Sequence, residues 1–234
     1  MYDILVFSRS FSISFDKIDS ILSATEHLVS SSNILTSGIE DKQEAEAAFF
    51  KRYITEIYPS GICSYVSDTY DYWGFLENVL PEFVDVIDAR GNNANGMSKV
   101  VVRPDSGDPV HVVAGYRIAS YDDLCEIFGR GEVYYSCDVS KLPEVIEQNG
   151  EYFIVDYDCD RDGYIMGFDL TEKISMVEAI GTARWLKVIF GSTVNEQGYS
   201  VISDRIGIVY GDSITLDICS EILERLDELK IALS

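Results

Sequence analysis

Four side chains in this 234-residue sequence stand at positions where α/β proteins commonly do chemistry. Asp68, Arg103, Asp105 and Asp212 lie at or just after three short β-prone runs, Ile62 to Val66 (ICSYV), Lys99 to Val102 (KVVV) and Ile206 to Tyr210 (IGIVY). In a parallel α/β fold such strand ends open on one side, so these groups are expected to converge. The set suits a ligand with a ribose diol, held by carboxylates, and with phosphates, held by arginine, backbone N–H groups and Mg²⁺. The plainer alternative is that Asp and Ser here only cap the following helices, and for Asp212, with Ser213 beside it, the two readings stand level. Capping explains less of Arg103-Pro104-Asp105-Ser106-Gly107-Asp108-Pro109, whose prolines, glycine, carboxylates and cation make a rigid polar loop.

Two histidines exist. His27, in Ser23-Ala24-Thr25-Glu26-His27, follows Ile21-Leu22 and is expected at another strand end. A neighbouring carboxylate can orient an imidazole, which makes His27 a candidate base, ligand or phosphate acceptor against the default of a hydrogen-bonded structural residue. His111 lies at the expected start of a helix and reads as structural. The segment Asp156 to Asp169 approaches the spacing of a calcium loop, but β-like runs flank it and its last acid is Asp, so an acidic hairpin turn is the preferred reading. Five cysteines (Cys63, Cys125, Cys137, Cys159, Cys219) show no C-x-x-C pair and read as reduced thiols. No G-x-S-x-G elbow, Walker loop or G-x-G-x-x-G occurs.

The elements that must position these groups follow from punctuation by Gly, Pro and Asp, which alternates short apolar runs with helical patterns and argues for an α/β protein with a mainly parallel sheet. A helix is expected from Tyr72 to Ala89, with Phe75, Val79, Phe83 and Ile87 apolar. Others should begin at Val110 and run from Thr171 to Phe190. The last runs to the C-terminus with Leu216, Cys219, Ile222, Leu223, Leu226 and Leu229 on one face. Between Ile118 and Ser175 an antiparallel β excursion is expected. It holds a short helix, Tyr121 to Phe128, and strands at Glu132 to Ser136, Tyr152 to Tyr157 and Tyr164 to Phe168, with turns at Asn149-Gly150 and Asp162-Gly163.

Composition sets the outer limits. At 47% hydrophobic and 12% aromatic the chain can bury a core, so it is not a disordered acidic segment. With 18 Lys and Arg against 40 Asp and Glu the formal charge is −22, which excludes nucleic acid as a partner. No run approaches the roughly 20 apolar residues that span a bilayer. Met1 to Phe15 alternates apolar and polar residues and reads as a strand rather than a signal peptide, which gives a cytoplasmic expectation.

ATEH (Ala24 to His27), SGICSYVSDTYDYW (Ser60 to Trp73), VVVRPDSGDPV (Val100 to Val110), GSTVNEQGY (Gly191 to Tyr199) and IVYGDSITL (Ile208 to Leu216), in this order, resemble the nicotinamide phosphoribosyltransferase family. The resemblance covers residue 21 to the C-terminus, loosely over the β excursion, and leaves residues 1–20 unmatched. It implies an incomplete catalytic domain over 21–234 with a β-rich insertion at 118–175, and as fold a partial type II phosphoribosyltransferase-like α/β barrel. It implies that nicotinamide and phosphoribosyl pyrophosphate combine to nicotinamide mononucleotide and pyrophosphate, with Mg²⁺ and with ATP-driven phosphorylation of a histidine. His27 would be the phosphate acceptor, next to Glu26. Arg103, with Pro104, would contact the diphosphate and the nicotinamide side. Asp105 and Asp212 would contact the nucleotide ribose with Gly211, and Asp68 would organise the phosphoribosyl site. Family members are longer at both ends and commonly carry Ser where Leu28 follows His27, so the barrel cannot close from this chain alone. A complementing chain or a homo-oligomer is expected at the open strand edges, the alternative being a non-catalytic remnant or interaction subunit with weak nucleotide or Mg²⁺ binding.

Overall fold

The computed structural model describes residues 42–129, 141–161, 164–211 and 214–232. Several sequence expectations lie outside them: the N-terminal strand, Glu26 and His27, the run Glu132 to Ser136 with Cys137, the Asp162-Gly163 turn, and Asp212 with Ser213.

The three strand-and-carboxylate runs form one parallel sheet in the order β1-β2-β9, from β1 (Ile62–Val66), β2 (Lys99–Arg103) and β9 (Ile206–Ile208). Tyr65 pairs with Val102 and Val102 with Ile208, so the three C-terminal ends lie side by side. One face is covered. Cys63, Tyr65, Val100, Val102 and Ile206 pack into a core with α1 (Lys42–Arg52), the helical segment α2 (residues 72–88) and α5 (Met176–Phe190). Phe50 of α1 is fully buried at its centre, edge-on to Phe75 and Phe83 at 5.1 and 5.3 Å and tilted against Tyr65 at 4.9 Å. The other face carries exposed Ile62, Val66 and Val209, although parallel sheets are normally covered on both sides.

The helix expected at Tyr72 is present but broken into an α turn, a π turn (Phe75–Val79), a 3₁₀ turn (Leu80–Phe83) and a final α turn (Val84–Asp88). Pro81 has no N–H to donate and its ring crowds the carbonyl four residues back, so a regular helix cannot pass through it. Phe75, Val79, Phe83 and Ile87 are all buried, as their spacing predicts.

The β excursion is a four-stranded sheet, β3-β4-β5-β6, made by β3 (Ile118–Ser120), β4 (Val145–Gln148), β5 (Glu151–Cys159) and β6 (Ile165–Ile174), with α4 (Tyr121–Gly129) after β3. Its first pair is parallel, which corrects the wholly antiparallel expectation, and the later pairs are antiparallel. Asn149 and Gly150 both have positive φ, the backbone a tight hairpin turn requires. Residues 156–169 span the β5–β6 hairpin, with Asp156 opposite Asp169, in place of a helix-loop-helix calcium site. The helix expected from Thr171 starts later, at Met176, because β6 continues to Ile174 and Ser175 caps the helix by accepting from the Glu178 N–H at 3.1 Å.

A third sheet, β10-β8-β7, joins β7 (Ser192–Val194), β8 (Ser200–Ile202) and β10 (Ile231–Ala232), and no closed barrel forms among the described residues. The last helix, α6 (Leu216–Glu228), departs from its expected apolar face: Leu226 is buried, but Leu216 is 82% exposed and Leu223 is exposed too. Arg225 is buried in their stead. Its guanidinium grips Glu144 with two bonds of 2.6 and 2.7 Å, and Glu144 also meets His111 Nε2 at 3.2 Å and accepts from the Arg117 N–H at 2.9 Å. This cluster ties α6 to the β excursion and to α3 (Pro109–Ala114), where His111 stacks on Tyr116 in the structural role expected of it. The free thiols are Cys63, Cys125, Cys159 and Cys219 among the described residues. No described helix is long and apolar enough to cross a membrane.

Two backbones meet where α5 kinks. Gly181 (φ 75°) lies against Gly115 (φ 79°), and a Cβ on Gly181 would fall 2.2 Å from the Gly115 nitrogen. Gly181→Ala should therefore lower stability by about 3 kcal/mol or more through backbone strain and overlap, read as a fall in the urea midpoint. Glu144 sets part of the response of stability to acid. Burial alone would raise its pKa, but the bonds from His111, Arg225 and the Arg117 N–H hold the carboxyl far below its ordinary 4.5. A folded value below the unfolded one stabilises the protein fully above about pH 4.5 and loses that contribution as pH falls. Glu144→Gln should cost about 1–3 kcal/mol at pH 7 by removing the charged acceptor of the buried Arg225 guanidinium, which keeps the Gly115 carbonyl at 3.2 Å and Glu221 at 3.8 Å. It should also flatten the loss of melting temperature on acidification.

Candidate functional site

Arg103 ends β2, and the rigid loop after it crosses the C-terminal ends of both neighbouring strands. On one side the loop is held by Asp68, whose Oδ2 accepts from the Asp105 N–H at 2.7 Å and from the Ser106 hydroxyl at 2.9 Å. On the other side the Tyr210 hydroxyl donates to the Gly107 carbonyl at 2.8 Å. Within the loop, Arg103 Nη2 donates to Asp105 Oδ1 at 3.0 Å, a pair roughly half exposed to solvent. Beneath it the sheet ladder is extended by Ser67 N–H to the Arg103 carbonyl at 3.1 Å and by Val209 N–H to the Val102 carbonyl at 3.0 Å. Asp68, Arg103 and Asp105 thus form one hydrogen-bonded group on a single rim. Pro104 is buried under it, and Gly211, directly after Tyr210, lies exposed at the next strand end.

Other side chains cap the helices that follow these strands. Asp71, not Asp68, caps the helical segment after β1, accepting from the Gly74 N–H at 3.0 Å. Asp108, not Asp105, caps α3, accepting from the N–H groups of Val110 and His111 at 2.8 and 3.2 Å. Thr215 caps α6, accepting from the Ile218 N–H at 3.3 Å. Asp68 and Asp105 are therefore spent on the rim itself. One carboxyl is exposed there and paired with a cation, and the other is fixed to the loop.

A buried acid beside β1 carries no motif in the sequence. Glu46, on α1, is only 6% exposed, and burial, against a hydrogen bond with Tyr65 that lowers it, together with the nearby Asp71 and Asp68 carboxylates raises its pKa to about 7. The signal in the sequence is a single acid inside an otherwise small and apolar run, Ala45-Glu46-Ala47-Ala48-Phe49-Phe50. Tyr210 was also passed over, since its aromatic ring reads as one more strand residue. At the rim such a set can hold a polar, anionic ligand: Arg103 offers donors in a planar fork, and Asp105 beside it can accept from hydroxyls. Among the described residues no three His, Cys, Asp or Glu side chains converge as a metal site.

No family model matches the chain. It is 33% identical over 204 residues to the nicotinamide phosphoribosyltransferase of Acinetobacter baylyi, covering 87% of this chain. It is 29% identical over 188 residues to the nicotinamide phosphoribosyltransferase of Mycoplasma pneumoniae, covering 80% of this chain. In both cases the match spans 28% of the relative's own length. Over most of its residues, and as its motifs led us to expect, the chain is thus a relative of nicotinamide phosphoribosyltransferases that corresponds to a part of them.

Proposed function

We propose that this chain carries part of the catalytic site of a nicotinamide phosphoribosyltransferase, which joins nicotinamide to phosphoribosyl pyrophosphate and releases pyrophosphate. The observation that carries this reading is the single rim on which Asp68, Arg103 and Asp105 meet at the ends of adjacent parallel strands. In the reaction, breaking the ribosyl C1 bond builds positive charge on the sugar, which the Asp105 and Asp212 carboxylates favour, with Gly211 allowing close approach of the ribose. Arg103, set by Pro104, takes the diphosphate. Asp68 holds the loop that presents both.

Mg²⁺ would arrive with the diphosphate. Its ligands would be phosphate oxygens and water, in keeping with this ion's preference for substrate phosphates. Bound there, it would offset the charge of anionic substrates approaching a chain of net charge −22. His27 is the proposed phosphate acceptor, with Glu26 beside it and ATP as donor. Lys42 lies over the ring of Tyr70, 5.5 Å from its centroid, two residues from Asp68. His27 precedes Lys42 by 42 − 27 = 15 residues, a length that reaches roughly 50 Å when extended, so the rim is within its range.

The finer fold reading is that residues 21–234 form an incomplete phosphoribosyltransferase-like barrel in the cytoplasm. Its remaining strands would come from a complementing chain or another copy, at the edges of β1 and β9, which pair with no further strand among the described residues. Exposed Ile62, Val66 and Val209 on one sheet face and the 28% span favour a second reading as well, an interaction subunit that keeps the rim for binding without turnover.

Two measurements separate these readings. Nicotinamide mononucleotide formation should appear when the chain is mixed with the products of its neighbouring genes. Binding of phosphoribosyl pyrophosphate with Mg²⁺ but no turnover in any mixture would leave the interaction subunit. In calorimetric titration Arg103→Ala should weaken that binding about tenfold or more, the scale of a lost charge-assisted hydrogen bond. Asp68→Asn should weaken it by a similar factor and lower stability by about 1–3 kcal/mol, because the Asp105 and Ser106 donors lose their ionised acceptor.

A further inference from the structure

The last helix, α6, carries an apolar arc wider than the described body covers. Ile222, Leu226 and the following Leu229 pack against Val113 and Ala114 of α3 and Ala183 of α5. At about 100° per residue, Leu216, Cys219 and Leu223 continue that arc as a second stripe beside the first. Leu216 is 82% and Leu223 46% exposed, with Cys219 partly buried between them. One exposed leucine is ordinary on any surface. Two of them seven residues apart on one helix, in line with a thiol, make an apolar strip that runs roughly 10 Å along the axis.

The charges beside the strip decide what fits it. Asp217 and Glu224 border it on the solvent side, and neither is ion-paired among the described residues. The other acids of α6 already meet cations of this chain: Glu221 lies 3.8 Å from Arg225, Glu228 3.9 Å from Arg117 and Asp227 3.2 Å from Lys230. The helix has no exposed cation of its own, since Arg225 is buried against Glu144. A second copy would set these acids against themselves, on a chain of net charge −22. A basic partner would meet Asp217 and Glu224 with opposite charge. Leucines seven residues apart match the repeat of another helix laid along the first. We propose that this strip seats an amphipathic helix of a different protein, one that presents leucine-like side chains at helical spacing with Lys or Arg beside them. The strip is made by α6 alone and uses none of the rim residues, so this docking surface stands apart from the transferase reading.

The probe is a synthetic helix of about 18 residues, Leu at i, i+3, i+4 and i+7 and Lys on the flanking positions, labelled with fluorescein. Its anisotropy is followed on titration with the full chain at about 0.15 M salt, where exposed charges more than about 8 Å apart are screened. Saturable binding is expected. Leu216→Ser and Leu223→Ser should each weaken it about tenfold, the scale of burying one leucine. Glu224→Lys should weaken it about threefold, the scale of one exposed ion pair. Both leucines are exposed, so serine at either position leaves the packing on α3 and α5 in place. Absence of binding overturns the proposal. Binding that is the same in the wild type and in both serine variants also overturns it, since that would mark a general attraction of a basic peptide to an acidic chain. Sedimentation supplies the remaining outcome: self-association of the wild type that Leu223→Ser abolishes would identify a second copy as the occupant and overturn the basic partner.

Discussion

The Asp68 carboxylate, bridging two strand ends, is the contact on which the candidate site depends. Parallel pairing brings β1 and β2 to the same level, but it does not order the loop beyond β2, whose residues face solvent from Asp105 to Asp108. One oxygen of Asp68, accepting a backbone and a hydroxyl donor, fixes that loop from one side while Tyr210 fixes it from the other. Arg103 is then free to turn back on Asp105, so that cation and carboxylate are displayed as a pair. Charged hydrogen bonds of this kind are about twice as strong as neutral ones, which suits them to ordering a short exposed loop.

Behind the rim lies a layered support. Tyr72, next to the Asp71 cap, hydrogen-bonds Thr182 at 2.8 Å, and Thr182 in turn donates to the Val112 carbonyl at 2.7 Å, so the helices that follow β1 and β2 are both pinned to α5. The Glu144 cluster pins α6, whose first residues follow the Gly211 strand end, to α3 and the β excursion. The rim residues are few and exposed; their placement is fixed by buried polar contacts many residues away in the sequence.

What could be read from the sequence followed from local pattern. Strands β1, β2 and β9 are short β-branched runs bounded by turn residues, and Asn149-Gly150 is a hairpin turn by its backbone demands alone. The convergence of Asp68, Arg103 and Asp105 followed once those strands were taken as parallel. Other features depended on tertiary partners that no window of sequence contains. Leu216 and Leu223 repeat at helical spacing, but the neighbours that would bury them are absent from the described residues, while Arg225 is buried because Glu144, 81 positions away, is there to meet it. The end of β6 was mistaken for helix because Thr171 to Lys173 are polar on an edge where only cross-strand pairing, such as Lys173 to Glu151, decides the conformation. Glu46 stands alone in an apolar run, but only the packing of α1 shows that it is buried.

The face of the β1-β2-β9 sheet on which Ile62, Val66 and Val209 are exposed bears on how robust this molecule is. Anything that settles on that face binds the folded form and not the unfolded one, so it adds to folding free energy by mass action, by about 2.7 kcal/mol at a hundredfold excess over its dissociation constant. A melting temperature measured on the isolated polypeptide is then a lower bound. The apparent stability would then rise with the concentration of whatever binds there, so that ligand supply would set the lifetime of the folded chain.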